Sequence, residues 1–211
     1  NEQQMLEETK QEIKHHLPNI TEKQIQNIKQ FVEDAFLFNK KHNIFVRRSL
    51  DEVYEKDVLD CLPLIYEIED TQKTLDLGSG GGFPGILIGI LKPNLTNHLL
   101  EKNQKKCYFL NKTIDTLELK NTKVIKTTLN DKNNLESYDL ITARAFSSTT
   151  NILKLTKNNL VKTGQYILLK GRMEKILEEL ESIDTNKYKY EIIKIDNNKN
   201  ERHFLKIKIN E

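Results

Sequence analysis

The chain has 211 residues, 30% of them charged, and a net charge of only +2. That length allows a buried core with an appendage, and so small a net charge does not by itself announce a nucleic-acid partner. With a mean hydropathy of −0.61 and an apolar segment, Ile86–Leu91, far short of the ~20 residues of a membrane span, no membrane association is expected.

The start is rich in glutamate and glutamine and has no apolar signal core. Cys61 and Cys107 lack CxxC spacing, and the five histidines show no metal-ligand spacing. A reducing cytoplasm, no structural disulfide and no metal are therefore expected. His15-His16 reads as a solvated helix face. Only five of the 33 basic residues are arginine, namely Arg47, Arg48, Arg144, Arg172 and Arg202. In a lysine-rich chain, each is a candidate for the planar, bidentate contacts that lysine cannot make.

Residues 1 to about 68 read as helical. Thr21-Glu22-Lys23-Gln24 is a capping box that opens a helix with Ile25, Ile28, Val32, Ala35 and Phe36 on one face. Ser49-Leu50-Asp51-Glu52 is a second box, with Val53, Val58, Leu59 and Leu62 following and Pro63 expected to bend or end the helix. Asn39–Arg48 between them reads as a connection.

From Gln72 onward, strand and helix patterns alternate. Strands are expected at Thr74–Leu77, His98–Glu101, Lys123–Thr127, Tyr138–Thr142, Gln165–Leu169, Tyr190–Ile195 and His203–Ile209. Helices are expected at Pro84–Leu91, Gln104–Leu117, Thr149–Leu160 and Met173–Leu180. This alternation predicts a doubly wound, mostly parallel α/β sheet. The last two strands are joined only by the polar link Asp196–Arg202, with its Asn/Lys-rich stretch Asn197–Asn200. A parallel crossover needs about a dozen residues, so that pair must be antiparallel or lie apart. The expected division is a helical extension over residues 1–68 and a catalytic domain over 69–211.

Five of the eight glycines fall in Asp76-Leu77-Gly78-Ser79-Gly80-Gly81-Gly82-Phe83-Pro84-Gly85. Strand, glycine loop and helix in succession bring bare backbone N–H groups and a helix N-terminus to a bound nucleoside or phosphate, and glycine allows the close approach. Ligands of such sheets sit at the carboxyl ends of the strands. Those ends carry Glu101, placed 23 positions after Gly78 as a ribose-binding carboxylate would be. They also carry Leu129-Asn130, able to meet an adenine edge, then Arg144, a cation beside the cofactor, and Lys170-Gly171-Arg172, a basic pair suited to phosphate or base. Gly80–Gly85 also fits G-x-G-x-x-G, which keeps a dinucleotide-dependent oxidoreductase open. The reading Asp76-x-Gly78-x-Gly80-x-Gly82 and the closing strand pair favour S-adenosylmethionine.

The chain resembles the RsmG (GidB) family of bacterial 16S ribosomal RNA methyltransferases, which methylate guanine at N7. The matching pieces run in order from Asn39-Lys40-x-x-Asn43-Ile44 through Leu59-Asp60, Asp76–Gly85 and Leu99–Glu101 with Lys106 and Phe109-Leu110. Arg144-Ala145-Phe146, Leu169-Lys170-Gly171 and Glu201-Arg202-His203 complete the series. The resemblance implies an S-adenosylmethionine site at Gly78, Phe83, Leu129-Asn130 and Arg144 with Glu101 in the ribose position; the loop reading adds Gly80 and Gly82. The chain departs from the family pattern at four places. Phe45 stands where Thr is usual, Lys56-Asp57 where Arg-His is common, Asn130 where Glu is frequent, and Glu101 where Asp is usual.

What the chain lacks narrows the chemistry. Neither cysteine ends a strand, as a pyrimidine-carbon methyltransferase would need. No Asn/Asp-Pro-Pro-aromatic loop is present for an exocyclic amine. Guanine N7 already offers a lone pair, so no general base is expected and Arg144 is the one candidate catalytic group. Lys170, Arg172 and Arg202 are expected to meet RNA, with 16S ribosomal RNA or the small subunit as partner and a monomer as the working form. A non-catalytic RNA-binding protein on the same fold is the rival from another class.

Overall fold

The computed structural model describes residues 2–196 and 200–211; residues 197–199 of the polar link lie outside the described residues. Helices α1 (Glu2–His16), α2 (Glu22–His42), α3 (Leu50–Val53) and α4 (Leu59–Tyr66) precede the sheet, with a π-helical turn at Tyr54–Val58 between the last two. The Thr21 capping box closes in both directions: Gln24 N–H donates to Thr21 Oγ1 (3.1 Å) and Thr21 N–H to Gln24 Oε1 (2.8 Å). At Ser49 the box is skewed. Its hydroxyl accepts from Glu52 N–H, but the Glu52 carboxylate accepts from Arg48 N–H at 2.6 Å, one residue early.

Two helix limits differ from expectation. Helix α2 continues past Asn39 until Asn43 turns left-handed (φ 50°) and returns its N–H to the Asn39 carbonyl. Pro63 does not end its helix, which runs on to Tyr66 with the proline inside. The missing donor affects only the Leu59 carbonyl, and the turn before it is wound wide, with Leu59 N–H donating to Tyr54 O.

The remaining elements are β1 (Lys73–Leu77), α5 (Gly85–Leu91), β2 (Thr96–Glu101), α6 (Gln104–Leu117), β3 (Thr122–Lys126), β4 (Tyr138–Arg144), α7 (Thr149–Leu155), β5 (Leu160–Lys170), α8 (Met173–Leu180), β6 (Tyr188–Ile195) and β7 (Arg202–Ile209). They form a seven-stranded sheet in the order β3-β2-β1-β4-β5-β7-β6. β1 to β5 are parallel, β7 lies antiparallel to β5, and β6 antiparallel to β7. The short link is thus met by antiparallel pairing. Helix α7 stops at Leu155, five residues before the expected end, because Thr156 turns its hydroxyl back to Ile152 O (2.7 Å) and Leu160 already pairs with Tyr138 as the start of β5.

Both faces of the sheet are covered, which is why β1 and β4 are buried almost throughout. On one face Ile13, Phe31, Val53 and Leu62 from the N-terminal helices share a core with Ile86, Leu99, Leu140, Ile167 and Phe204. On the other, Ile152 and Ile176 from α7 and α8 pack on Leu75, Ile141 and Leu168. The strand order reverses between β1 and β4, and the crevice outside their carboxyl ends is where such sheets bind ligands.

Candidate cofactor site

At the end of β1, Asp76 is buried and braces the crevice from below. Its Oδ2 accepts from the Ser79 hydroxyl (2.8 Å) and its Oδ1 from the Thr142 hydroxyl of β4 (2.9 Å). Burial pushes the Asp76 carboxyl up to about 6, while those two hydrogen bonds and the charge of Arg144 pull the other way.

The chain then turns over glycines. Gly78, Gly80 and Gly82 have φ of 66°, 53° and 96°, values that suit residues without a Cβ. Their surroundings differ. A Cβ on Gly78 would stand 2.6 Å from Phe146 Cδ1, and one on Gly82 would stand 2.8 Å from both Phe31 Cζ and Ile86 Cγ1. One on Gly80 would meet only Gly78 O at 3.7 Å, so the space over Gly80 is open. Gly78 and Gly82 are fixed by packing, whereas Gly80 is free of side-chain neighbours; of the three, only Gly78 lines the cavity at this loop.

Glu101, at the end of β2, reaches this loop. Its Oε1 accepts from Gly80 N–H (2.9 Å) and its Oε2 from Asn103 N–H (2.8 Å). Each carboxylate oxygen keeps a lone pair for a further donor. A cavity of about 370 Å³ opens here, lined by Gly78, Glu101, Thr127, Thr128, Leu129, Ala145, Phe146 and Ser147 among others. That volume lies in the range of nucleoside-sized ligand sites, and the walls suit the parts of S-adenosylmethionine: carboxylate for ribose hydroxyls, Leu129 and Phe146 for the purine faces.

A second cavity, about 720 Å³, shares the Ala145–Ser147 wall with the first and carries Lys170, Gly171, Arg172, Lys175 and Arg202. Ala145 in that shared wall has φ 53°, a left-handed conformation costing a residue with a Cβ ~1–3 kcal/mol and found preferentially at binding sites. A larger cavity, about 780 Å³, lies beside the α1–α2 turn and the segments 89–94 and 117–121, away from the glycine loop. The strand ends that carry the sequence-derived candidates border the smaller two.

The sequence-derived candidates sort as follows. Gly78, Glu101 and Leu129 line the first cavity. Phe83 is buried beneath the loop against Phe31, their ring centroids 4.7 Å apart. Asn130 is exposed and spends its Oδ1 on Lys132 N–H (2.9 Å). Lys170 and Arg202 border the second cavity already paired, to Glu179 at 3.0 Å and Asp60 at 2.8 Å. Arg172 is exposed at the N-cap of α8.

Arg144 is not among the residues lining the first cavity. Its Nη1 donates to Asp57 Oδ1 at 2.6 Å, and its guanidinium lies 5.6 Å from the centre of the Phe83 ring. Burial works most strongly against its charge, but the charge and hydrogen bond of Asp57, together with Cys61 and Asp76, outweigh it and hold the group protonated more firmly than in water. Asp57, Arg47 and Thr142 were missed as site residues. Arg47 stood out only as a rare arginine and Asp57 only as a departure from the family pattern; Thr142 had no signal beyond its place at a strand end.

Among the described residues, no group of three or more His, Cys, Asp and Glu side chains is arranged to hold a metal ion. Nor is any helix among them long and apolar enough to cross a membrane. Cys61 and Cys107 are free, buried thiols.

A parallel sheet in this strand order, closed by an antiparallel β7 and carrying a glycine loop braced by an acid, defines a class I S-adenosylmethionine-dependent methyltransferase. The fold is shared with a methyltransferase from Pyrococcus furiosus (TM-score 0.61, 14% identity, 83% of this chain and 96% of that one). It is also shared with a SAM-dependent methyltransferase from Aquifex aeolicus (TM-score 0.57, 15% identity, 71% and 91%). The family described as "rRNA small subunit methyltransferase G" (GidB) matches residues 24–205, and the chain belongs to that family. Relatives named "Ribosomal RNA small subunit methyltransferase G" include one from Brachyspira hyodysenteriae, 34% identical over 188 residues (88% of this chain, 91% of the relative). Another, from Ruthia magnifica, is 36% identical over 148 residues (70% and 72%). Family and antiparallel β7 together decide against the dinucleotide-dependent oxidoreductase.

Proposed function

We propose that this chain transfers the methyl group of S-adenosylmethionine to N7 of a guanine in 16S ribosomal RNA, on the small subunit or its RNA in the cytoplasm. The working form is a monomer, with residues 1–68 as a helical extension and 69–211 as the methyltransferase domain. The observation that carries this reading is the pairing of two cavities across one wall, in a member of this family. One is nucleoside-sized, at the glycine loop; the other is rimmed by cations.

S-adenosylmethionine, when bound, supplies an electrophilic methyl on its sulfonium. The chain's own residues hold and orient. Glu101 accepts ribose hydroxyls while keeping the glycine loop in place. Gly78, Gly80 and Gly82 let the backbone approach, with Phe83 supporting them from beneath. Leu129 packs on the purine, Asn130 closes that turn, and Arg144 is the cation at the methionine end.

Lys170, Arg172 and Arg202 steer the RNA phosphates and bring the target base to the shared wall. N7 carries a lone pair at neutral pH, so no group need remove a proton first. Holding it in line with the methyl provides an effective-molarity gain worth roughly 7–11 kcal/mol. A cysteine nucleophile has no part in this: burial pushes the Cys61 thiol far above its ordinary value.

The test is to map N7-methylguanine in 16S ribosomal RNA from cells with and without this protein, alongside transfer of labelled methyl to purified small subunits. A site methylated only when the protein is present supports the reading. Identical maps and no labelled transfer overturn it.

A further inference from the structure

A closed circuit of side chains meets the glycine loop at Phe45 and Phe83, and its one anion comes from the N-terminal helices. Asp57 lies in the π-helical turn Tyr54–Val58 and is fully buried. Single π turns recur at functional sites. Arg47 grips Asp57 with two parallel bonds, Nε to Oδ2 at 2.7 Å and Nη2 to Oδ1 at 2.8 Å. Arg144 takes Oδ1 from the other side at 2.6 Å. The Arg47 guanidinium lies 5.6 Å from the Phe45 ring centre, and that of Arg144 lies 5.6 Å from the Phe83 ring centre. The two rings meet edge to face at 6.3 Å. Phe45 also presses on the loop, so that a Cβ on Gly81 would stand 2.8 Å from its Cδ1.

We propose that Asp57 is a positioning residue for methyl transfer, holding Arg144 at the cofactor end of β4 and coupling that end to the α2–α3 loop through Arg47. The inference rests on the methyltransferase reading above. Charge makes it specific. Two guanidiniums at one carboxylate leave a net positive charge on the trio, available to the carboxylate of the methionine part of S-adenosylmethionine. Without Asp57 the same two cations repel, and Arg144 loses the bond that fixes its direction. The bidentate Arg47 grip keeps Asp57 from following Arg144 out toward ligand. Phe45 and Arg47 therefore take their places on the loop only when Arg144 takes its own.

The experiment uses the full chain and compares Asp57→Asn, Asp57→Glu, Arg47→Met, Arg144→Ala and the double variant Asp57→Asn/Arg144→Ala. Two readouts are taken. One is single-turnover methyl transfer at saturating RNA and S-adenosylmethionine. The other, independent of turnover, is the water-exchange rate of the arginine side-chain N–H resonances with and without S-adenosylmethionine.

In the wild type, the guanidinium groups of Arg47 and Arg144 exchange slowly, and Asp57→Asn makes both fast while leaving Arg202, paired with Asp60, unchanged. Asp57→Asn slows transfer by up to about 100-fold, the scale of a small misplacement, Asp57→Glu recovers part of it, and the double variant is no slower than the worse single one. A double variant that loses the product of both factors, or fast exchange at Arg144 in the wild type, overturns the proposal. If Asp57→Asn fails to fold, Arg47→Met decides: a loss that disappears in an Arg144→Ala background supports the role, and a wild-type rate overturns it. Absent methylation in a wild type with slow-exchanging arginines would refute the methyltransferase reading and leave the circuit standing.

Discussion

The carboxylate of Glu101 bonds the backbone of Gly80 across the crevice, Oε1 to N–H at 2.9 Å, while its other oxygen caps Asn103 N–H at 2.8 Å. One side chain thus sets the height of the glycine loop against the end of β2 and offers its remaining lone pairs to a ligand. Glu101→Ala removes two charge-assisted bonds and any bond to ribose, so S-adenosylmethionine binding weakens by at least about 1.5–3 kcal/mol. Glu101→Asp is one methylene shorter. It keeps the charge but cannot span Gly80 and Asn103 together, so it falls between wild type and alanine. Titration calorimetry of the three proteins checks the order; equal losses in both variants would mean that reach, not charge, sets affinity.

Gly80 and Gly82 separate ligand approach from packing. Gly80→Ala is strained by a φ of 53° but meets open space, so it costs only ~1–2 kcal/mol of stability while pushing a methyl toward the ligand. It should fold and bind S-adenosylmethionine poorly. Gly82→Ala adds to its strain the crowding of Phe31 and Ile86, which overpacking places at a further ~1–3 kcal/mol. It should melt well below Gly80→Ala. Thermal melts with cofactor titrations distinguish the two, and equal melting temperatures would count against the assigned roles.

What could be read in advance was what is local. The alternation of strand and helix, the glycine loop and the placing of Glu101 at the end of β2 follow from period, glycine clustering and spacing, because each depends on residues within one β–α unit; the order of the strands depends on contacts between units. Of the two outcomes expected at Pro63, a bend or an end, the end does not occur, since a proline inside a helix deprives one carbonyl of its partner without requiring the chain to stop. Asp57 was invisible as a site residue. Its meaning depends on Arg144, 87 positions away, and nothing in a run of helical residues marks a carboxylate for burial. The pairing of Lys170 with Glu179 and Arg202 with Asp60 was likewise hidden: composition shows cations but not which are already neutralised.

Asp76 makes stability depend on pH in a direction unusual for a carboxylate. Its folded value is raised to about 6 from an ordinary 3.8 because the buried carboxylate is poorly solvated. Between those values the folded chain holds a proton that the unfolded chain has lost, so stability falls as pH rises from about 4 to about 6 and levels off above. Asp76→Asn should flatten that segment of the curve. Cofactor binding runs the other way: the sulfonium and ammonium of S-adenosylmethionine favour the ionised acid, so affinity should rise with pH through about 6. Denaturant melts and calorimetry between pH 4.5 and 8 check both signs, and a wild-type affinity that stays flat across that interval would separate Asp76 from the ligand.

The cations around the second cavity should not behave alike. Arg172 is exposed at the N-cap of α8, so Arg172→Ala should leave the melting temperature unchanged. It should weaken RNA binding and reduce the slope of log K against log salt by about one unit if it meets one phosphate. Lys170 and Arg202 are bound to Glu179 and Asp60, and their removal leaves those acids less well compensated. For Glu179, burial works to raise its pKa, and hydrogen bonds from Lys170 and Thr149 overcome it and hold the carboxyl below the usual range. Without Lys170 that support shrinks, so Lys170→Ala should cost stability at neutral pH and recover part of it as the pH falls and Glu179 takes up a proton. RNA must compete with these internal acids for the two cations. Lys170→Ala and Arg202→Ala should therefore change the salt slope by less than Arg172→Ala does, despite lying on the same rim. Filter binding to small-subunit RNA at several salt concentrations, with a melt of each variant, tests the ranking. A full unit of slope lost in all three, with no change in stability, would show that the ion pairs open freely and that these cations face the RNA unencumbered.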